Sequence, residues 1–491
     1  MSATRIQRNY FRFRKIGEKY LVTNDHGGWV FLDQEGLKGL LQGKIGEENP
    51  LFETLREKGF LIGEEDIERV AGDYERRYAY LFRGPILHII IVTLRCNEVC
   101  KYCHASRASM RQTETDMTIA TSEKVVDMIM RSPSDTVTIE FQGGEPLVNF
   151  PVVQHITSYA LERAKTAKKR VMFTLVSNLS LMDDEKLKWV LDNGIQVSTS
   201  LDGPQDLHDE NRKLLGSSAY EHTVKWMQRI NQAFKEKGLD GELYHVEALA
   251  TITREHFGRG KDIVDEYIRQ GCRAIFLRPL NPFGFAKHVA HRLGYTASEF
   301  LDFYRETFDY IVERNLKGDE ILERLAAIFL TKILTPDDPN YMDLRSPCGA
   351  GIGQIAYNYD GTIFTCDEGR MVAQMGDEAF RLGSVENTDL RDVVTHEVTK
   401  SLALASCLDG IPGCATCAYK PYCGTCPVYN YTEQGSIFPQ NPTNERCKIY
   451  MGVQDHIFKY LMDGDSRILD LFKRWVEVKE RPEYLHDFRQ T

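Results

Sequence analysis

The chain has no apolar run long enough to cross a bilayer. Its longest, residues 86–94, is broken by His88, against the roughly 20 residues a membrane helix needs. It also lacks a surplus of basic residues. Lys and Arg number 61 against 71 Asp and Glu, a net charge of −10, which argues against binding nucleic acid through a basic face. Residues 1–14 are polar and basic with no apolar stretch, so the pattern of a secretory signal is missing. No internal repeat or low-complexity tract is visible. These absences lead to the expectation of a cytoplasmic protein with neither membrane nor nucleic acid as partner.

Cysteine, by contrast, is plentiful. With no signal for export, thiols stay reduced, so clustered cysteines point to metal. Eleven of the twelve fall within 96–103 and 348–447. Cys272 stands alone in a strand-like stretch and reads as a buried core thiol. A chain of 491 residues is longer than one core usually supports, so two or three domains are expected.

Hydrophobic periodicity divides the chain. Residues 10–62 carry a hairpin around Asn24-Asp-His-Gly-Gly and two short helices, and 63–83 read as a charged connecting helix, giving an N-terminal α+β unit and linker over 1–83. Over 84–290, strand and helix alternate six times: strands near 86–94, 137–141, 171–176, 195–201, 246–252 and 274–277, with helices between. Six such repeats predict an α/β fold with a parallel sheet curled into a partial (β/α)6 barrel of TIM type, whose ligands bind at the carboxyl ends of the strands. A helical bridge is expected over 291–347. The segment 348–450 has eight cysteines, many Gly and Pro, and too little patterned apolar content to build a core alone, so bound metal is expected to organise it. A closing helix over 450–475 and a tail complete 451–491.

The first cysteines stand as Cys96-Asn-Glu-Val-Cys100-Lys-Tyr-Cys103, directly after the first buried strand. Three thiolates at this spacing wrap one corner of an iron–sulfur cube and leave one iron open to a ligand. A zinc site with His104 as fourth donor is the alternative. Forty residues on, at the second strand's end, comes Gln142-Gly143-Gly144-Glu145-Pro146, where two glycines admit close backbone approach. Ser177-Asn178 ends the third strand. Ser198-Thr-Ser200-Leu-Asp202-Gly-Pro ends the fourth, followed by His208-Asp-Glu-Asn-Arg212; an ordinary turn and a surface arginine are the plain alternative there. Arg278 and Asn281 follow the sixth strand.

This pattern resembles the radical S-adenosylmethionine (SAM) superfamily. The resemblance implies a cluster held by Cys96, Cys100 and Cys103, with its unique iron chelating SAM and Tyr102 shielding it. Reductive cleavage of SAM then yields a 5′-deoxyadenosyl radical. It also implies SAM contacts from Gln142, Gly143, Gly144, Glu145, Pro146, Ser177, Asn178, Ser200 and Asp202, with Arg212 on the SAM carboxylate. Relatives often carry a glycine after the Asn of the third strand; here Leu179 stands in that place.

Downstream, Cys348-x12-Gly361-x4-Cys366, Cys407, Cys414-x2-Cys417-x5-Cys423-x2-Cys426 and Cys447 resemble the SPASM extension and its two auxiliary four-iron clusters, making three 4Fe-4S clusters in all. The resemblance assigns Cys348, Cys366 and Cys426 to one and Cys414, Cys417, Cys423 and Cys447 to the other, with Cys407 as the eighth ligand. Two treble-clef-like zinc sites are the alternative. Asp367 is the candidate catalytic base by resemblance to sulfatase-maturing relatives, or else a turn residue. Strings such as Phe276-Leu-Arg-Pro, Phe364-Thr-Cys-Asp-Glu-Gly-Arg and Asn444-Glu-Arg-Cys are similar to the His-Xaa-Ser system radical SAM maturases. That similarity implies a precursor peptide with a leader as substrate, an electron donor such as flavodoxin or ferredoxin, and room for a partner maturase. The expected reaction is a crosslink in the peptide, the rivals being formylglycine formation or a zinc-stabilised peptide-binding scaffold. The unit at 10–62 resembles a leader-recognition domain, a structural cap being equally open.

Overall fold

The computed structural model describes residues 6–489. The first five residues of the stretch read as lacking a secretory signal, and the last two of the tail, lie outside the described residues.

The N-terminal unit holds three strands more than the expected hairpin, two of them, Gln7–Arg8 and Leu61–Ile62, pairing by themselves. Arg12–Ile16, Lys19–Thr23 and Trp29–Leu32 form an antiparallel sheet in that order. Helices Gln34–Leu41 and Phe52–Glu57 bury Leu37, Leu40, Phe52 and Leu55 against Val22 and Leu32. Asp33 caps the first of them by accepting from the Gly36 N–H at 2.7 Å, as the helix start requires. Helix Ile67–Tyr78 connects the unit to the barrel.

All six barrel strands are present: Leu87–Thr93, Thr136–Gly143, Arg170–Val176, Ile195–Ser200, Glu247–Ile252 and Leu277–Pro279. They pair in chain order, each parallel to the next. The first strand, apolar but for His88 and Thr93, is buried on both faces. In the second, Val137, Ile139 and Phe141 are fully buried, while Glu140 and Gln142 on the alternate face line the interior cavity. The chain is an α/β partial barrel with a small N-terminal sheet and a cysteine-rich C-terminal region.

The cysteine-rich segment is more regular than its sequence predicts. Gln354–Tyr357 adds to the barrel sheet, parallel to the first strand with Ile355 opposite His88. Thr362–Phe364 and Arg381–Ser384 continue it antiparallel, so the sheet runs across the expected boundary at 348. Val372, Phe380, Leu402 and Val428 pack around Cys348, Cys366 and Cys426. The closing helix is two helices, Glu445–Asp463 and Ser466–Trp475, broken at Gly464, whose φ of +71° lies in the left-handed region. Among the described residues no helix is long and apolar enough to cross a membrane.

Candidate functional site

A cavity of about 450 Å³ opens at the carboxyl ends of the barrel strands and runs down their inner faces to Glu140 and Glu247. Cys96, Cys100 and Cys103 line it, as do Tyr102, Gln142, Gly143, Gly144, Ser177, Asn178, Ser200, Arg212 and Asp367. Residues from every barrel strand thus meet residues of the cysteine-rich segment in one space, of a size that suits a small-molecule ligand.

Two neighbours shape the cysteine loop. Glu98–Cys100 is a short strand paired antiparallel with Arg212–Leu214, placing Arg212 opposite Cys100. From there Arg212 directs NH1 toward the Cys100 Sγ at 3.8 Å, while its Nε donates to Asp202 at 3.2 Å. Asp202 is fully buried and also accepts from the Tyr102 hydroxyl. Burial opposes a charge there, yet Arg212 holds the Asp202 carboxyl below its ordinary value. The second neighbour is the glycine turn. Gly144 N donates to Thr93 O and Glu145 N to Arg95 O, both at 2.8 Å. A methyl on Gly143 (φ +137°) would overlap the Thr93 carbonyl oxygen, and one on Gly144 those of Leu94 and Arg95. The glycines therefore let the second strand's turn close on the start of the cysteine loop.

Three residues expected to touch the cofactor stand behind the cavity wall. Glu145, Pro146 and Asp202 do not line it. The Glu145 carboxylate faces inward, accepting from Ser177 Oγ at 2.8 Å, Asn178 N at 2.8 Å and Leu147 N at 3.0 Å. Burial raises its carboxyl to about 7 despite these donors. It thereby fastens the end of the third strand, where Asn178 Nδ2 approaches Cys96 Sγ at 3.8 Å. Pro146 opens the short helical turn Pro146–Asn149 behind it. Leu179 takes a φ of +63°, the left-handed conformation a glycine would adopt freely, at a cost of about 1–2 kcal/mol for a residue with a Cβ.

Sequence reasoning passed over several wall residues, Glu98, Arg107, Glu140, Asp343 and Glu368, and weighed His104 only as a zinc donor; all six line the cavity. Glu368, beside Asp367, has its carboxyl raised to about 7 by burial and by the charges of Asp343 and Asp367. Burial drives the His104 imidazole down to about 3, so it is neutral. Only Glu98, inside the cysteine motif, carried a signal that could have been read. Asp367 is 6% exposed, and its carboxylate accepts from Arg370 Nε at 2.7 Å. Arg278 and Asn281 line the cavity too, Arg278 NH2 lying 3.9 Å from Glu368.

Seven of the nine remaining cysteines form two packed groups. Cys348, Cys366 and Cys426 share one apolar cluster. Cys366 and Cys426 cap helices Asp367–Ala373 and Pro427–Gln434, their Sγ atoms accepting from Gly369 N at 3.3 Å and Tyr429 N at 3.4 Å. Helix N-termini favour thiolates. Cys414, Cys417, Cys423 and Cys447 line a second cavity of about 320 Å³. Cys407, expected as an eighth ligand, sits half-buried at the end of helix Glu397–Ser406 and lines neither cavity. Cys272 is a buried thiol in the barrel core, as its sequence context predicts.

These sites suit the groups the pattern implies. His104 Nε2, Arg107 Nε and Glu98 Oε1 are buried without a hydrogen-bond partner among the described residues, so the wall of the first cavity offers polar atoms that a polar cofactor would satisfy. Burial pushes Cys348 up to about 12 and Cys366, Cys423 and Cys426 well above the ordinary thiol value. Such thiols ionise only when metal charge compensates them. Among the described residues no three or more His, Cys, Asp or Glu side chains are placed to hold a single metal ion.

The fold and this cysteine-lined cavity define the class, and comparison with known proteins agrees. Residues 90–245 match the Radical SAM superfamily, and the chain is a radical SAM enzyme, with SAM and a 4Fe-4S cluster as cofactors. Its relatives narrow the neighbourhood. It is 22% identical over 320 residues to the cysteine-type anaerobic sulfatase-maturating enzyme of Clostridium perfringens, covering 62% of this chain and 80% of that one. It is 24% identical over 203 residues to the radical SAM cyclopropyl synthase TigE of Paramaledivibacter caminithermalis, covering 38% of this chain but only 42% of the relative. Among solved structures, anSMEcpe with bound AdoMet superposes with a TM-score of 0.64 at 18% identity, over 78% of this chain and all of that one. Streptococcus suis SuiB bound to precursor peptide SuiA superposes with a TM-score of 0.52 at 15% identity, over 89% and 99%. At these identities the superpositions show the shared fold.

Proposed function

We propose that this chain is a maturase that modifies a ribosomally made precursor peptide, taking a hydrogen atom from one of its residues and forming a crosslink. One observation carries the reading: a single cavity joins Cys96, Cys100 and Cys103 to Asp367 and Glu368 of the cysteine-rich segment. When bound, SAM and its cluster supply a 5′-deoxyadenosyl radical. The chain's own residues do the rest. The paired strands Glu98–Cys100 and Arg212–Leu214 hold the cysteine loop, and Arg212 offers its guanidinium to the loop and to a SAM carboxylate. Asp367, oriented by Arg370, accepts the proton the substrate loses. Cys348, Cys366 and Cys426 would hold one auxiliary cluster and Cys414, Cys417, Cys423 and Cys447 the other, groups that would supply electron-transfer chemistry there. The relatives support a peptide substrate: one is a sulfatase-maturating enzyme and another structure holds precursor peptide SuiA.

Formylglycine formation is the second reading, favoured by the same sulfatase-maturating relative. Mass analysis of the product separates a crosslink from formylglycine. Anaerobic purification should return about twelve irons per chain for three four-iron clusters. Replacing Cys96, Cys100 and Cys103 by Ala should abolish 5′-deoxyadenosine formation and leave about eight irons. Retained SAM cleavage, or a colourless zinc protein, overturns the proposal.

A further inference from the structure

The N-terminal sheet is part of the wall around the outer cysteines. Phe13 and Arg14, on its first strand, line the 320 Å³ cavity together with Cys414, Cys417, Cys423 and Cys447. The same sheet grips the chain between those cysteines. Arg12 Nε donates to Ala415 O at 2.6 Å and Thr23 Oγ1 to Ala418 O at 2.7 Å. Lys420 Nζ reaches Asp25 at 2.7 Å, and Asp25 also pairs with Arg12 at 2.8 Å. Tyr422 OH donates to Gly27 O at 3.1 Å. Four bonds thus tie residues 415–422, the span between Cys414 and Cys423, to a unit that precedes the barrel. Above the cavity, Arg14 Nε and NH2 form a forked pair with Asp455 at 2.9 and 2.8 Å, and the Tyr419 hydroxyl donates to the same carboxylate.

From this placement we infer that the N-terminal sheet sets the redox poise of the group held by Cys414, Cys417, Cys423 and Cys447, with Arg14 and Asp455 as positioning residues of opposite sign. The inference rests on the reading of these four cysteines as cluster ligands. Its physics is simple. Adding an electron to a cluster adds negative charge, which a nearby cation stabilises and a nearby anion opposes. In the intact pair the two charges largely cancel. Removing one leaves the other acting alone on the cavity, attenuated because the Arg14 side chain is 37% exposed and that of Asp455 26%.

The test is an EPR-monitored redox titration of the anaerobically reconstituted full-length enzyme, with iron analysis of each sample. Arg14→Gln leaves Asp455 unbalanced and should move one cluster signal to more negative potential. Asp455→Asn leaves Arg14 unbalanced and should move the same signal to less negative potential. The double variant should return it close to wild type, and the signal that responds to added SAM should move in none of them. A loosened wall would move both single variants the same way, so shifts of one sign, or no shift in a protein holding about twelve irons, overturn the inference alone. A wild-type protein holding only about four irons overturns the cluster reading and the inference with it.

Discussion

Asp202→Asn isolates the buried pair that aims Arg212 at the cysteine loop. Asp202 has no exposed surface, the Arg212 side chain is 11% exposed, and the two are 3.2 Å apart. At an effective dielectric of about 20, opposite unit charges at that separation attract by about 5 kcal/mol. Removing one partner of a buried pair costs about 3–5 kcal/mol, because the remaining charge is left uncompensated. The two figures agree, so the variant should lose about that much stability, read as the urea midpoint of the barrel transition. Asp202 also accepts from Tyr102, whose ring lies 5.3 Å from the Arg212 guanidinium, so the loop should retain less iron. The decisive control is Asp202→Asn with Arg212→Gln. If the cost comes from a stranded charge, the double variant is more stable than Asp202→Asn alone. A single variant within about 1 kcal/mol of wild type, or a double variant whose loss equals the sum of the two singles, refutes the reasoning.

Further outcomes follow from other contacts. Gly144→Ala places a methyl against the carbonyls of Leu94 and Arg95; iron analysis should show loss of about four irons from a protein that stays folded by circular dichroism. Glu247 accepts from Arg324, from Arg481 at 3.0 Å and from Gln196 at 2.8 Å. Burial alone would raise its carboxyl, but Arg324 and Arg481 hold it at about 2. Its folded value therefore lies below the unfolded one, so its contribution is full above about pH 4.3 and is lost as pH falls toward about 2. Glu247→Gln should lower stability by about 1–3 kcal/mol at pH 7 and flatten acid unfolding between those limits.

Much of the fold was legible because parallel barrel strands are buried and announce themselves locally. Residues 86–94 read as a strand without any knowledge of a partner, and Leu87–Thr93 is one. The strand Gln354–Tyr357 did not, since its partner lies more than 250 residues earlier and four residues hold too little periodicity. The same limit hid the pairing of Glu98–Cys100 with Arg212–Leu214, only three residues on each side. Glu145 shows the other kind of gap. Its place in the glycine turn marked it as a site residue, but only the fold turns its carboxylate onto Ser177 and Asn178 instead of into the cavity.

By itself, the sequence determined the chemistry available: three thiols at close spacing, a glycine turn forty residues on, and a second store of cysteines. Those are properties of residue type and local separation, which covalent order preserves. Tertiary structure decided what each group faces. It alone places Arg212 against Cys100, withdraws Asp202 and Glu145 behind the wall, brings Asp367 and Glu368 to the cavity of Cys96, Cys100 and Cys103, and lays Arg14 over the outer cysteines. These relations depend on register and packing between segments hundreds of residues apart, and no local pattern encodes them.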